Sequence, residues 1–118
     1  MVEKEECVFC KIAKGEIPVK MVEKSKNFIA FPDKNPMTLG HTLIIPKKHF
    51  VNIFDLPAKL GNELLKLIKT ISEKRLKEGA MGINLLMRNG RAAGQEVEHA
   101  HIHLIPRRKE DGVKFLPV

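Results

Sequence analysis

The sequence predicts an α+β fold, with an antiparallel five-stranded sheet, one long helix packed on one face and a short N-terminal helix. Five short β-rich runs and only two helical segments are recognisable along the chain. Strands that outnumber helices in this way are typical of α+β proteins. The chain has 118 residues, which is an ordinary size for one domain, so we expect residues 1–118 to form a single domain.

The N-terminal half is predicted to contain the short helix and three of the strands. The helix should cover Cys7–Lys14. Two strands, Lys20–Glu23 and Phe28–Phe31, come next and are joined by a polar turn. Proline, aspartate and asparagine at positions 32–36 predict a loop. The β-rich run His41–Ile45 predicts the third strand.

The C-terminal half is predicted to contain the long helix and the last two strands. Asp55 can cap this helix, with Pro57 in its first turn, and Gly79 ends it. Apolar residues at helical spacing predict its buried stripe: Leu60, Leu64, Leu67, Ile68 and Ile71. The strands are expected at Gly82–Met87 and Glu96–Ile105, with a glycine-rich loop between them.

Three of the five histidines occupy alternate positions in the last strand: His99, His101 and His103. Successive side chains of a strand point to opposite faces, so we expect all three imidazoles on one face. Pro106 should end the strand because it has no N–H for the ladder. Solvated strand faces usually carry Lys, Glu, Thr or Ser. Histidines at this spacing therefore indicate a functional site, since imidazole can act as base, nucleophile or ligand.

A single metal ion is not expected to bind all three of these histidines. At ~3.3 Å per residue, His99 and His103 would lie ~13 Å apart along the strand, whereas zinc–nitrogen bonds are about 2.0–2.1 Å. Cys7 and Cys10 have a spacing that occurs in both metal and redox sites. Because they open a helix rather than follow a strand, we expect either a metal site or two buried thiols.

Composition limits the classes of partner. No apolar run approaches the ~18–20 residues of a membrane span, and the N-terminus is not a signal peptide, so we expect a cytoplasmic protein without a membrane partner. The net charge of +7 suits an anionic ligand. Lys and Arg are spread along the chain and Trp and Tyr are absent, which favours a nucleotide over a nucleic acid.

The segment 99–105, in which histidines alternate with apolar residues, resembles the signature of the histidine triad (HIT) superfamily of nucleotide hydrolases and transferases. Three further segments resemble this family in the same order along the chain: 7–18, 40–49 and Gly94–Gln95. The resemblance covers nearly the whole chain and is closest to the Hint-like branch of nucleoside phosphoramidases, in its prokaryotic, cysteine-bearing form. It implies the same α+β fold and a homodimer.

The resemblance also implies the catalytic residues. His101 matches the nucleophile that attacks phosphorus, His103 matches a contact to the α-phosphate, and Gln95 matches a residue near the scissile bond. A nucleophilic imidazole must be neutral, with its other ring nitrogen held by an acceptor such as a backbone carbonyl. Gly94 and its neighbours can present N–H groups to a phosphate.

The predicted nucleoside site comes from the same resemblance. Asp33 matches an acidic residue that binds both ribose hydroxyls, although it could equally be a turn former before Asn35 and Pro36. The nucleobase, expected to be a purine, would bind in an apolar slot whose residues could instead be plain core: Phe9, Ile12, Ile29, Phe31 and Leu43.

Two residues depart from the family pattern. Glu96 replaces a Ser or Thr, and its carboxylate would repel a phosphate. Arg88 replaces an Asn and could bind phosphate with two hydrogen bonds, which favours polyphosphate substrates. Both residues belong to the predicted substrate-binding set, as does Asn89.

The cysteine-bearing members imply a structural zinc, with no metal needed for catalysis. Its predicted ligands are Cys7, Cys10, His49 and His99. Two thiolates and two imidazoles complete a tetrahedron and leave no open position for water.

The leading prediction is an enzyme that cleaves a nucleoside monophosphate, with AMP expected, from an amine or phosphate leaving group. The reaction would pass through a nucleotidyl-His101 intermediate. Dinucleoside polyphosphate hydrolysis is the second enzyme hypothesis. A nucleotide-binding regulatory module with little turnover and a zinc-stabilised nucleic-acid binder are alternatives of other classes.

Overall fold

The computed structural model describes residues 6–114 and confirms the α+β architecture. The helices of this part are α1 (Val8–Ala13) and α2 (Gly61–Lys77). Its strands are β1 (Glu23–Lys24), β2 (Phe28–Pro32), β3 (Thr42–Pro46), β4 (Gly82–Leu86) and β5 (Ile102–Arg107). Short 3₁₀ turns occur at Ala58–Leu60 and Arg91–Ala93.

The five strands form one antiparallel sheet in the order β1-β2-β3-β5-β4. The chain crosses from β3 through α2 to the edge strand β4 and returns as β5 to the position between them. As a result His103 is opposite Leu43 of β3 and Leu86 of β4. The third histidine of the alternating series therefore lies in the interior of the sheet.

The sheet buries a different apolar cluster on each face. Helix α2 packs Leu67 and Ile71 against one face, as the helical spacing predicted, where they meet Phe28, Ile44 and Leu104. Helix α1 contributes to the cluster on the opposite face, whose buried members are Phe9, Ile12, Ile29, Phe31, Leu43 and Ile45. No helix within residues 6–114 is both long enough and apolar enough to cross a lipid bilayer.

The predicted start of the long helix is wrong. Asp55 does not cap α2, because its carboxylate accepts the N–H groups of Val51 and Asn52, both at 3.0 Å. Pro57 precedes a 3₁₀ turn, and α2 begins only at Gly61, without a side-chain cap. An Asp side chain that can close a local turn competes with its use as a helix cap.

The predicted bounds of the histidine strand are also wrong. Strand β5 begins at Ile102, so His99 and His101 lie in the segment that enters it. The strand continues through Pro106 to Arg107. Thr38 Oγ1 donates to the Pro106 carbonyl at 2.7 Å, so that side of Pro106 faces the loop before β3. Because the N and C=O of a strand residue point to the same side, the missing N–H removes no bond to β4.

The first two strands differ from the expected bounds as well. Strand β1 is Glu23–Lys24 rather than Lys20–Glu23, although the N–H of Val22 still donates to Ala30 at 2.8 Å. Strand β2 extends by one residue to Pro32. The pairing of β1 with β2 is thus short, and the predicted hairpin is retained.

Candidate active site and metal centre

A cleft of about 1080 Å³ opens on the α1 face of the sheet. Its apolar end includes Phe9, Ile12, Phe31 and Leu43, which belong to the predicted nucleobase slot. Its polar end includes six other predicted residues: Asp33, Arg88, Gly94, Glu96, His101 and His103. One continuous surface therefore joins an apolar compartment to a cluster of imidazoles and charged groups.

His101 is held through one ring nitrogen. Its Nδ1 lies 2.7 Å from the backbone carbonyl oxygen of His99. A carbonyl only accepts hydrogen bonds, so Nδ1 carries the proton and donates it, and Nε2 of the neutral ring keeps its lone pair. The Phe9 ring meets the imidazole edge to face, with centroids 5.2 Å apart. This tautomer is the one a nucleophilic Nε2 requires.

His103 receives a hydrogen bond from His41, a residue that the sequence interpretation assigned only to the start of a strand. The N–H of Met37 donates to His41 Nδ1 at 3.0 Å, so the proton of neutral His41 is on Nε2. That Nε2 lies 3.0 Å from His103 Nδ1. His103 Nδ1 is thereby an acceptor, and His103 presents an Nε2–H donor.

Burial keeps this histidine pair neutral. Desolvation lowers the pKa of His103 to about 4, reinforced by repulsion from the protonated forms of His101 and His41 and from Arg88, and outweighs the opposing effect of Asp33. Desolvation also lowers the pKa of His41, again against the attraction of Asp33. Only 3% of the His41 surface is exposed. At neutral pH both rings are therefore uncharged hydrogen-bonding groups.

Asp33 forms a turn and also faces the cleft, so its structure combines the two roles that the sequence left open. Its Oδ1 accepts the N–H of Asn35 at 2.8 Å, which is the contact of a turn former. Its Oδ2 lies 3.4 Å from His41 Nε2 and 3.6 Å from His103 Nδ1, inside the cleft. One oxygen of the carboxylate is used by the loop, and the other faces the site.

Gln95 does not line the cleft. It is only 6% exposed, and its Nε2 donates to the carbonyls of Val51 and Val97 at 2.6 and 2.9 Å. Its Oε1 accepts the N–H of Gly90 at 2.8 Å. The amide thus ties together the loops that form the polar end of the cleft.

Two further predicted contacts lie outside the cleft lining. Ile29 is in the buried cluster beneath the apolar end. Asn89 joins two loops, because its Oδ1 accepts the N–H of Ile53 at 2.8 Å. In contrast Gly94, at φ +90°, brings the backbone to the cleft.

The four predicted metal ligands come together, with their ligand atoms all within 4.8 Å of one another. Cys7 Sγ lies 3.3 Å from His99 Nδ1, and Cys10 Sγ lies 3.3 Å from His49 Nδ1 and 3.5 Å from His99 Nδ1. A tetrahedral zinc with bonds of about 2.0–2.3 Å places its ligand atoms roughly 3.3–3.8 Å apart. The donor set and its spacing therefore fit zinc.

The surroundings of His99 also suit a metal ligand. Its Nε2 lies 2.8 Å from the Pro46 carbonyl, so Nε2–H donates and Nδ1 directs its lone pair at the cysteines. Burial lowers the pKa of His99 to about 4, so the ring is neutral. A ligating histidine usually has such an acceptor on its second nitrogen.

A second group of donor atoms is better explained as a hydrogen-bonded chain. Asp33, His41 and His103 bring their ligand atoms within 4.8 Å of one another. However, the N–H of Met37 occupies the lone pair of His41 Nδ1 and leaves the proton on Nε2. A cation at Nε2 would have to displace that proton while Nδ1 still faced a donor.

Comparison with known proteins places the chain in a family. A family model described as the HIT domain matches residues 14–110. The chain belongs to the HIT family. An uncharacterized HIT-like protein of Methanocaldococcus jannaschii is 46% identical to this HIT-family chain over 111 residues, covering 92% of the chain and 86% of the relative. An adenosine 5′-monophosphoramidase of Candida albicans is 40% identical over 111 residues, covering 88% and 72%.

A solved structure bears on the metal centre. The zinc-bound histidine triad protein of Mycobacterium smegmatis superimposes on this HIT-family chain with a TM-score of 0.85 and 36% identity, covering 93% of the chain and 81% of that protein. The relationship is thus supported by sequence and by fold together.

Proposed function

We propose that this HIT-family enzyme releases a nucleoside 5′-monophosphate, with AMP as the expected product, from an amine or phosphate leaving group. The observation that carries the proposal is the hydrogen bond from His101 Nδ1 to the carbonyl of residue 99. It fixes the tautomer that leaves Nε2 free at the cleft. The Candida albicans relative described as a phosphoramidase supports the same reaction class.

The proposed reaction consists of two displacements at the α-phosphorus. His101 Nε2 forms a bond to phosphorus, and the bond to the leaving group breaks, with its electron pair departing on the leaving atom. A phosphate oxygen keeps the negative charge, whereas an amine nitrogen takes up a proton from solvent. The imidazole then carries a positive charge, which the Nδ1–H bond to the carbonyl stabilises. Water then attacks the same phosphorus and passes a proton to bulk solvent, and the P–N bond breaks with its electron pair returning to His101.

His103 is proposed to orient the phosphate. His41 donates to its Nδ1, so His103 Nε2–H is available as a donor to a phosphate oxygen. A neutral ring held this way needs no rearrangement as charge develops. The N–H groups of Gly94 and Gln95 donate within their own loop, to the carbonyls of Arg91 and Gly90 at 2.9 and 3.1 Å. The candidate backbone donor to the phosphate in this loop is therefore the N–H of Glu96, which lines the cleft. In this proposal Gln95 contributes by holding the loops in place rather than by touching substrate.

The nucleoside is proposed to extend from Asp33, at the polar end of the cleft, into the apolar end. The base would contact the apolar lining formed by Phe9, Ile12, Phe31 and Leu43. Asp33 Oδ2 faces the cleft and is the candidate acceptor for ribose hydroxyls. A carboxylate accepts two such bonds without carrying a proton of its own.

Zinc is proposed as a structural ion held by Cys7, Cys10, His49 and His99. Bound there, it would supply a cross-link between α1 and the segments around residues 49 and 99. Four protein ligands leave no position for water, which is the arrangement of a structural site. Both cysteines are thiols rather than a disulfide, in keeping with the proposed cytoplasmic location.

A homodimer is proposed from the edge of the sheet. Among the strands of residues 6–114, β4 is the last on its side of the sheet. Leu85 within it and Met81 just before it are 52% and 73% exposed. An open edge with exposed apolar side chains favours association with a second copy. Sedimentation velocity across a concentration series measures the assembly state, and a monomer at all concentrations would contradict the dimer.

The experiment that tests the proposed function follows the stereochemistry at phosphorus. An adenosine substrate with a chiral α-phosphorothioate is hydrolysed in isotopically labelled water, and the configuration of the product is determined. Two displacements give overall retention, whereas direct attack by water gives inversion. The same assay with His101→Ala should show turnover reduced by several orders of magnitude while AMP still binds.

Three results would contradict this proposal. Inversion would exclude the intermediate on His101. More than about a tenth of the wild-type kcat in His101→Ala, a loss under roughly 1.4 kcal/mol, would exclude it as nucleophile. Tight nucleotide binding without turnover of either a phosphoramidate or a diadenosine polyphosphate would favour the regulatory module instead.

A further inference from the structure

The side chain of Arg88 folds over the Gly94 turn at the polar end of the cleft and remains exposed to solvent there. It follows strand β4 and lines the cleft together with Gly94, His101 and His103. Its stem covers the Gly94 turn so closely that a Cβ added there would lie 3.0 Å from Arg88 Cδ and 3.3 Å from Nε. A glycine at this position therefore gives the arginine room to lie beside the reacting groups.

The guanidinium of Arg88 is available to a ligand. Within residues 6–114 no hydrogen bond or ion pair engages it, whereas the other arginines of that part all have partners: Arg75, Arg91, Arg107 and Arg108. The cleft also contains the carboxylate of Glu96, but no ion pair joins it to Arg88 in this part of the chain. A guanidinium placed over a site without a protein partner has its hydrogen-bonding fork free for an oxyanion.

Electrostatics agree with this placement. The positive charge of Arg88 is one of the influences that lower the pKa of His103, after burial and the two neighbouring imidazoles. The guanidinium is thus within electrostatic range of the proposed phosphate contact. Arg88 and His103 line the same cleft and approach a ligand from different elements, the segment after β4 and β5.

We propose that Arg88 forms the leaving-group subsite and selects substrates whose leaving group is an oxyanion, joined to the α-phosphorus through an anhydride, over substrates with a neutral amine. Such leaving groups are phosphate, oligophosphate or a second nucleotide. This inference rests on the proposed function, because it concerns the group that departs as His101 attacks.

The two kinds of leaving group make different demands on the site. When a P–O anhydride bond breaks, its electron pair stays on the bridging oxygen, and the added negative charge can be neutralised by two hydrogen bonds from a guanidinium. When a P–N bond breaks, the nitrogen takes the electron pair and must also gain a proton. Arginine stays protonated in proteins and cannot supply that proton. Arg88 therefore lowers the barrier for the anhydride and does little for the amine.

The test compares two substrates that share the adenosine 5′-phosphoryl group. The probes are diadenosine tetraphosphate and an N-alkyl adenosine phosphoramidate, measured as kcat/KM in the wild type and in Arg88→Gln. We expect a roughly 10–100-fold loss for the tetraphosphate, as for removal of a charged hydrogen bond, and less than about a threefold loss for the phosphoramidate. Arg88→Lys should recover part of the loss, because it keeps the charge but not the fork.

The matched control is Arg91→Gln. Arg91 lies three residues away in the same loop, but its side chain is 90% exposed and pairs with Glu98 outside the cleft. Arg91→Gln should leave kcat/KM unchanged for both substrates. Equal losses for the two substrates in Arg88→Gln, or no loss for the tetraphosphate, would overturn the subsite.

A binding measurement separates this inference from the proposed function. In a His101→Ala background, calorimetry compares ADP with AMP, which differ by one terminal phosphate. Adding Arg88→Gln should weaken the binding of ADP roughly tenfold more than the binding of AMP. An unchanged ADP-to-AMP ratio would refute the subsite whatever the reaction. A wild-type protein that hydrolyses neither substrate, yet shows this change of ratio, would instead refute the proposed reaction and retain the anion subsite.

Discussion

The ring of His101 and the main chain of His99 meet at 2.7 Å, where Nδ1–H donates to the carbonyl oxygen. The side chain of the same His99 faces Cys7 and Cys10 with its own Nδ1. One residue therefore contributes its backbone to the candidate nucleophile and its imidazole to the candidate zinc site. The metal centre and the reacting group are joined through a single peptide unit.

This coupling leads to a prediction about zinc removal. Cys7→Ser combined with Cys10→Ser should abolish zinc binding and lower the melting temperature, because the metal binds the folded state. Well below that temperature kcat should remain near the wild-type value. The His99 ring keeps its hydrogen bond to Pro46 and its contact with Phe9 without the metal, so its carbonyl stays in place.

Elemental analysis, thermal melts and kcat at low temperature check the zinc prediction. Protein expressed in zinc-replete medium should contain one zinc per chain. Absence of zinc would contradict the structural site. Activity that disappears on chelation and returns with other divalent ions, while the fold stays intact, would indicate a catalytic ion.

Ribose recognition is tested at Asp33. Asp33→Asn keeps an oxygen for the Asn35 N–H and so preserves the turn, whereas Asp33→Ala removes both contacts. Both variants should raise KM for ribonucleotides and reduce the preference over 2′-deoxynucleotides. The binding free energy lost for the ribonucleotide should be roughly 1.5–3 kcal/mol, as for a hydrogen bond to a charged group.

Steady-state kinetics on paired ribo and deoxy substrates measure this preference. Asp33→Asn should keep the wild-type melting temperature and Asp33→Ala should lower it. A wild-type enzyme without any ribose preference would refute the role of Asp33 in substrate binding and leave only its role in the turn.

Features that depend on local periodicity were predicted most reliably from the sequence. Alternation places His101 and His103 in the cleft and Ile102 and Leu104 against α2, although β5 itself begins only at Ile102. Helical spacing likewise identified Leu67 and Ile71 as core. These patterns need no knowledge of distant contacts, because the period of the backbone determines which side chains share a face.

Features that depend on distant contacts were missed. The His41–His103 bond joins residues 62 positions apart and is determined by the β3–β5 register. A histidine beside Gly40, at the start of a strand, was the available signal. The predicted start of α2 was wrong because the Asp55 carboxylate accepts the N–H groups of the preceding residues Val51 and Asn52 instead of capping the helix. Gln95 bonds to three loop segments, a role that its place before the triad does not reveal.

Acid stability is predicted from His103. Its folded-state pKa is lowered from 6.5 to about 4, first by burial. Between these values the unfolded chain binds more protons, so stability falls as the pH is lowered from 6.5 toward 4 and this contribution is constant outside that window. His103→Asn keeps an acceptor for His41 but cannot titrate. The wild type should lose on the order of 1–2 kcal/mol more than this variant, since one pKa unit corresponds to about 1.4 kcal/mol and the cleft is partly hydrated.

Urea unfolding of both proteins at pH values from 4 to 7.5 measures this difference. Zinc release on acidification affects both proteins and cancels in the comparison. If the difference in unfolding free energy between the two proteins does not change with pH, the pKa of His103 is not lowered on folding and the prediction is wrong.

His41 is predicted to position His103 rather than to contact substrate. His41→Asn can still accept the Met37 N–H but cannot reach His103, whereas His41→Gln can donate to His103 but not accept from Met37. We expect His41→Asn to lower kcat roughly 10–100-fold with little change in KM, and His41→Gln to retain more activity. The pKa of His103 should rise in His41→Asn, because His41 is one of the influences that lower it.

The readouts are kcat, KM and the titration of the His103 ring by NMR. Thr38→Val is the matched control, since it removes a hydrogen bond from the same loop to Pro106 without touching either imidazole. It should leave the His103 titration and kcat unchanged. A merely structural role for His41 predicts equal losses in His41→Asn and His41→Gln, parallel to a lower melting temperature, with the pKa of His103 unmoved. That pattern would contradict the positioning role. The proposed hydrogen bond from His41 determines the tautomer and basicity of His103, so its loss should change the His103 titration even where the fold stays intact.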